Sequence, residues 1–427
     1  MTLLSNERER GISYSYISTG RFKTTLISVG FYLPLDEDAS ANALTLSLMK
    51  SGTESLPDTY SLNRRLAGLY GACVYSSVSK YGDYQELRIG VTVNDDKYSL
   101  NGEHTVDEAG QLLCDMIFGR FLSKTDYPAE SIDREKRLLC EEIAGKLNDK
   151  RTYARERCEE IMCSDEPYGL SPQGTEEKVK SLNAQDISRA LDRIIRKAFI
   201  SVQVIGEKEP AQFAESFSKC ISSANREYEA FAPDIIKSAG ELKTFEEKMP
   251  VKQGKLVIGL RSENGGGDRE TVANWVMCDV FGGGPYSKLF CNVREKMSLC
   301  YYCSARSVRR KGLILIDSGV EESNISAAKD AISAQLADMA AGNFSDKEVN
   351  SSKLALCDMI RSVESDQAAL ARWYAARAME EKPATPEEIC ELISKVTAED
   401  IKNAALGFKA DTVYILRPDG SVKETEE

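Results

Sequence analysis

The sequence has 427 residues, 42% hydrophobic and 29% charged, with a net charge of −12. That length suits two domains of roughly 200 residues each, and the composition is that of a soluble globular protein. The acidic balance argues against nucleic acid or an anionic membrane as the main partner, and leaves room for basic peptides.

The opening Met1–Gly11 has neither the basic start nor the apolar run of a signal peptide. No apolar run approaches the ~18 residues of a membrane span. Phe22–Leu35 reads as an apolar strand, and a helix pattern then runs to Lys50 and ends at Ser51-Gly52-Thr53. Ala72–Lys80 and Tyr84–Val93 alternate around Tyr81-Gly82-Asp83, a hairpin signature. Helix patterns follow over Thr105–Phe121 and Ser131–Glu160. The single histidine, His104, lies in the polar stretch Leu100–His104. Glu142 sits in the charged run Arg134–Ile143, and Glu166-Pro167-Tyr168-Gly169 comes shortly before Thr175-Glu176-Glu177. An amphipathic helix over Leu182–Leu191, capped by Asn183, leads to a strand at Phe199–Ile205.

Residues 226–250 hold Pro233, Pro250 and the polar run Lys243–Lys248 without a sustained period, and read as a linker. Beyond it comes a strand at Gly254–Arg261, a helix over Asp268–Phe281, and Gly282-Gly283-Gly284. A helix-like run places Leu289 and Val293 on one face and closes on Arg294, seven residues before Tyr301. Tyr302–Val308 and Leu313–Val320 form a second hairpin pattern around Arg310-Lys311-Gly312. Lys288, Arg306, Arg309 and Arg310 make a local basic cluster, either a solvated hairpin face or the rim of a site for an acidic ligand. Helix patterns cover Ser323–Ala341 and Asp346–Met379. Val396–Ala405, capped by Thr397, repeats the Leu182–Leu191 pattern and again leads to a strand, Thr412–Leu416.

The chain therefore repeats itself. Each half runs β-α-α-β-β-α-α-α-β, which predicts an α+β fold of two tandem homologous domains, 1–225 and 251–427. Each is expected to be a sandwich of an antiparallel-rich sheet covered on one face by helices. Twelve cysteines are scattered, mostly within apolar patterns, as expected of buried reduced thiols in a cytoplasmic protein. Cys300-x-x-Cys303 is the one C-x-x-C. On a strand its sulfurs would fall on opposite faces, which favours core packing over redox or metal chemistry.

The stretch from Gly282 to Tyr301 resembles the Arg/Tyr segment of the M16 metallopeptidases, the family of pitrilysin and the mitochondrial processing peptidases, and the tandem arrangement agrees over essentially the whole chain. The resemblance implies the LuxS/MPP-like fold and places Arg294 and Tyr301 on a bound peptide and on the tetrahedral intermediate. It also implies H-x-x-E-H on an early helix, with two imidazoles on one face and the Glu as general base toward a zinc-bound water. Counting back from Gly52, the histidine slots hold Ala43 and Ser47 and the base slot holds Leu46. Glu142 matches the third ligand slot, but without partners it reads first as an acidic residue on a solvated helix face. No metal and no cofactor are expected.

Three functions follow from these readings. The first is a catalytically inactive subunit that pairs with a zinc-bearing M16 partner and lends Arg294 and Tyr301 to a shared peptide chamber. The second is a stand-alone peptide-binding scaffold, a homodimer acting on a peptide or protein ligand. The third, an active peptidase, would need His104 in a Cys/His arrangement that nothing orients, or a carboxylate-only metal site, a poor zinc binder. The segment Arg21–Thr25 through Leu66–Ala72 also resembles a bacterial group of zinc-less M16 chains associated with aminopentanol modification of elongation factor P.

Overall fold

A computed structural model describes all residues except Met1, Arg10, Glu229, Phe231, 263–267, Glu381 and 422–427. The first stretch of chain runs β1 (Thr2–Glu9), β2 (Ile12–Ser18), β3 (Thr24–Pro34), α1 (Ala39–Ser51), α2 (Thr59–Gly68), β4 (Cys73–Tyr81), β5 (Tyr84–Asn94) and α3 (Thr105–Ser123). It continues through α4 (Ala129–Gly145), α5 (Lys150–Met162), α6 (Glu176–Ser181), α7 (Ala184–Lys197), β6 (Phe199–Gly206) and α8 (Ala211–Ser223). Then come β7 (Lys243–Met249), β8 (Gly254–Ser262), α9 (Asp268–Gly282), a π-helical turn (Leu289–Lys296), β9 (Tyr302–Val308) and β10 (Leu313–Val320). The chain closes with α10 (Ile325–Ala341), α11 (Asp346–Ser362), α12 (Gln367–Ala375), α13 (Pro386–Lys395), α14 (Ala398–Gly407) and β11 (Phe408–Pro418).

These elements form two compact units, neither contiguous in sequence. One comprises 1–144, 170–232 and 364–383; the other comprises 145–169, 233–363 and 384–427.

The first unit is built on a six-stranded sheet, β1-β2-β6-β3-β5-β4, antiparallel except for β2 beside β6. Alternation sends Val29, Phe31 and Leu33 of β3 to a core shared with Leu44 of α1, Phe118 of α3 and Ile195 of α7. The opposite face carries α12. There Tyr32 donates its phenol hydrogen to the Ala375 carbonyl at 3.1 Å. Arg88 bonds both Tyr32 and Ser28 at 2.8 Å. With both faces covered, β3 is buried at every residue from Thr25 to Leu33, which is why its sequence reads as a nearly continuous apolar run.

The second unit holds a five-stranded sheet, β7-β11-β8-β10-β9, antiparallel except for β7 beside β11. Leu256, Ile258 and Leu260 of β8 and Ile316 of β10 are buried, three of them facing α10 and α14 across a shallow apolar crevice. Val257 instead meets Ala154 and Cys158 of α5. A Cβ at Gly259 would lie 2.5 Å from Met162 Sδ, so glycine there lets α5 approach the sheet. Arg261, Lys311 and Glu166 are buried together, with Glu166 2.6 Å from the guanidinium and 2.9 Å from the ammonium.

Each sheet is thus covered on one face by several helices, as predicted, and carries one further helix on the other. The two long helix patterns, Ser131–Glu160 and Asp346–Met379, are both interrupted. Asp149 accepts from the Arg151 and Thr152 amides and starts α5; Asp366 accepts from the Ala369 amide and starts α12. An aspartate acceptor within a periodic run caps a new helix rather than extending the old one. Lys243–Met249, inside the expected linker, is strand β7. Most of its side chains are exposed, with Arg417 of β11 clasping Glu246 at 2.8 Å, as suits an edge strand, while Glu247 accepts from the Tyr153 and Tyr414 hydroxyls. Among the described residues no helix is long and apolar enough to cross a membrane.

Candidate functional site

The five predicted zinc-motif positions lie on α1 in the first unit. Ala43 and Leu46 are fully buried in the core, and the Ser47 hydroxyl turns back onto the Ala43 carbonyl at 3.3 Å. The helix is tied down by Asn42, which donates to Gln85 Oε1 at 2.9 Å, while Gln85 donates to the Ala39 carbonyl. Glu142 is exposed on α4 and accepts a 2.6 Å hydrogen bond from the Gln173 side-chain amide. A methyl, an isobutyl and a hydroxyl beside one amide-bonded carboxylate do not make the three-ligand set that catalytic zinc requires. Among the described residues no three His, Cys, Asp or Glu side chains gather where they could hold a metal. His104 stands exposed at the start of α3, 3.6 Å from the Asp96 carboxylate.

The second constellation is intact. The π-helical turn is pinned by Leu289 and Val293, both fully buried, the pair that the four-residue spacing predicted. Wider turns of this kind recur at functional sites because they re-aim the side chains that follow. Here Arg294 lies with its guanidinium 4.5 Å over the Phe290 ring and 3.4 Å from Glu295. Ser298 then takes a left-handed conformation, φ 52°, and reverses the chain. The Leu299 amide returns to the Val293 carbonyl, and the Tyr301 amide bonds the Gly319 carbonyl at 2.9 Å, registering the segment on β10. Arg294, Leu299, Cys300, Tyr301 and Glu321 line one open groove of about 380 Å³. The structure therefore brings Arg294 and Tyr301 to one site and leaves Ala43, Leu46 and Ser47 without ligand chemistry.

The basic cluster resolves into separate partnerships. Lys288 pairs with Glu348 at 3.1 Å, Arg306 with Glu159 at 2.7 Å and Arg310 with Asp234 at 2.5 Å, while Arg309 stacks on Trp275. Carboxylates thus offset Lys288, Arg306 and Arg310, while the Trp275 ring only orients Arg309.

Strand β9 begins only at Tyr302, so strand alternation does not govern Cys300; Cys303 is buried and Cys300 partly exposed. Glu321 was not foreseen. It acquires its place by hairpin register, which sequence spacing alone does not report.

Residues 181–356 match the family described as Peptidase M16 inactive domain. The chain is similar to inactive-type members of the M16 peptidase family. It is 28% identical over 408 residues to the probable inactive metalloprotease YmfF of Bacillus subtilis, covering 95% of this chain and 96% of that one. Among solved structures, a conserved protein from Enterococcus faecalis superposes with a TM-score of 0.87 at 24% identity, over 97% of this chain and 98% of the other. The peptidase M16 inactive domain from Pseudomonas fluorescens superposes with a TM-score of 0.74 at 15% identity, over 97% of this chain and 98% of that one. An M16-like fold thus extends over nearly the whole of the given chain.

Proposed function

We propose that this chain is a non-catalytic M16 subunit of the cytoplasm that holds a peptide or protein in the Arg294–Tyr301 groove, while a zinc-bearing M16 partner performs hydrolysis. The observation that carries the reading is an asymmetry. The zinc slots are filled by Ala43, Leu46 and Ser47, whereas the groove keeps a guanidinium and a phenol beside each other on a segment anchored by Leu289, Val293 and the Gly319 carbonyl. A guanidinium suits a peptide backbone because it donates to carbonyl oxygens, and a phenol oxygen whose hydrogen goes to Glu321 can accept from a peptide N–H. Grip without a metal is useful where the metal comes from a second chain. Isolating the native complex from the parent cell tests this directly: an M16 chain with intact H-x-x-E-H should accompany it. Recovery of the chain only with copies of itself would favour the homodimeric scaffold.

A further inference from the structure

In the second unit, α11 and α13 run antiparallel along a seam that side chains hold at both ends. Arg361 of α11 clasps the Glu387 carboxylate of α13 at 2.8 and 3.0 Å. Two turns back, Lys353 donates to the Ser394 and Val396 carbonyls at 3.1 and 2.5 Å. Cys357 stands midway, one helical turn from each, and meets Cys390 of α13. Cys357 Sγ lies 3.9 Å from the Cys390 carbonyl oxygen, and Cys390 Sγ lies 3.8 Å from the Cys357 carbonyl oxygen. Side chains that each reach the other's backbone lie alongside one another, so rotation about the Cα–Cβ bonds brings the sulfurs together. Cys357 is partly exposed and Cys390 is buried. The chain between the two helices, 364–383, belongs to the first unit, where α12 covers the sheet.

We propose that Cys357 and Cys390 form a dithiol site that small organic disulfides oxidise to a protein disulfide, tying together the two ends of the segment that carries α12. Cys357, the accessible thiol, loses its proton and attacks one sulfur of the small disulfide. A mixed S–S bond forms, the original S–S bond breaks, and the departing thiolate takes the proton. Cys390 then gives up its proton and attacks the Cys357 sulfur. The protein S–S bond forms, the mixed one breaks, and the second small thiol leaves with that proton. The net conversion is two protein thiols and one small disulfide to one protein disulfide and two small thiols. The protein is oxidised by two electrons and the small disulfide is reduced by two. An excess of small thiol runs the sequence backwards.

The order of attack follows from access. Burial, then the neighbouring Cys357, pushes the Cys390 thiol up to about 12, which suits a resolving thiol that meets only a sulfur already beside it. The Arg361 and Lys353 contacts fix the helices on both sides of the pair, so closing the bond asks little movement of the backbone. The site lies outside the Arg294–Tyr301 groove, so its fate and that of the gripping role can be read separately.

The test equilibrates the full, reduced chain with oxidised and reduced glutathione, alkylates free thiols in denaturant, and digests with trypsin without reduction. Cys357 is the one cysteine of Leu354–Arg361, and Cys390 is the one cysteine of Ala378–Lys395, since trypsin passes over Lys382 before Pro383. The joined pair should appear two hydrogen masses below the sum of its parts and should vanish on reduction. With Cys390→Ser, Leu354–Arg361 should instead hold glutathione. The inference is overturned if both wild-type peptides are recovered unlinked at a glutathione ratio that modifies the exposed Cys73. It is equally overturned if the linked chain melts where the reduced chain does. Tying positions 33 apart should raise the thermal midpoint by about 5 °C or more. Both decisive measurements use the wild-type chain, so a poorly folding variant does not spoil them.

Discussion

Tyr301 donates its phenol hydrogen to Glu321 Oε1 at 2.6 Å, joining the segment before β9 to the one just after β10. The bond sets the phenol at the edge of the groove that Arg294 enters from the π-helical turn. Both side chains are partly exposed and neither is core, which makes them testable by substitution.

Arg294→Ala should leave folding stability within about 0.5 kcal/mol of wild type, as for a surface side chain. Mixed with the zinc-bearing M16 partner proposed above, the variant should support peptide turnover about tenfold more slowly or worse, because a charged donor is lost from the groove proposed to hold the peptide. Steady-state peptide cleavage with purified components checks this. Wild-type turnover would show the groove to be a relic.

The purified chain should carry no stoichiometric zinc by elemental analysis. Ala43 and Leu46 offer no donor atoms, and Glu142 is engaged by Gln173. One zinc per chain, retained through dialysis, would sink the non-catalytic reading.

Removing the Glu166 carboxylate should be among the most damaging single changes outside the groove. Glu166→Ala leaves Arg261 and Lys311 buried with a counter-charge missing. Breaking one side of a buried ionic cluster costs about 3 kcal/mol or more. Chemical denaturation compared with wild type measures it, and a change below ~1 kcal/mol would mean the cations find other partners.

Asp279 of α9 predicts a pH dependence. Burial raises its carboxyl above the usual range, against the bond it accepts from Tyr286 at 2.7 Å. A group raised in the folded state favours folding when protonated. Its contribution is full below the ordinary aspartate range and fades as pH rises through the higher folded value. Asp279→Asn should remove that trend, so the stability of wild type relative to the variant should fall as pH climbs from acid to neutral. A flat difference across that range would refute the assignment.

The helix starts at Asp149 and Asp366 give a paired prediction. Each aspartate accepts the orphan amides of the following helix. Alanine at either position should cost about 1 kcal/mol in denaturant melts. No loss at either would show that packing alone sets these boundaries.

Much of this was legible in the sequence because period and spacing are local properties. Leu289 and Val293, four residues apart, are both buried, and Arg294 and Tyr301 line one groove. The capping pairs at Asn183 and Thr397 appear as full capping boxes with Asp186 and Asp400. What escaped was non-local. Amphipathic spacing says that Ala154 and Cys158 share an apolar face, but not which sheet that face meets. Strand alternation was applied to Cys300, which precedes its strand. Strand β7 went unseen because charged, mostly exposed edge residues imitate a linker.

The passage of α5 into the second unit and of α12 into the first has a practical meaning for anyone cutting the molecule in two. A fragment ending near residue 225 would carry α5 without the sheet it covers and would leave Tyr32, Arg88 and Ser28 bare where α12 belongs. The complementary fragment would expose Val257 and Gly259 to water. The repeated halves do not coincide with the compact units, and neither should be expected to stand when made alone.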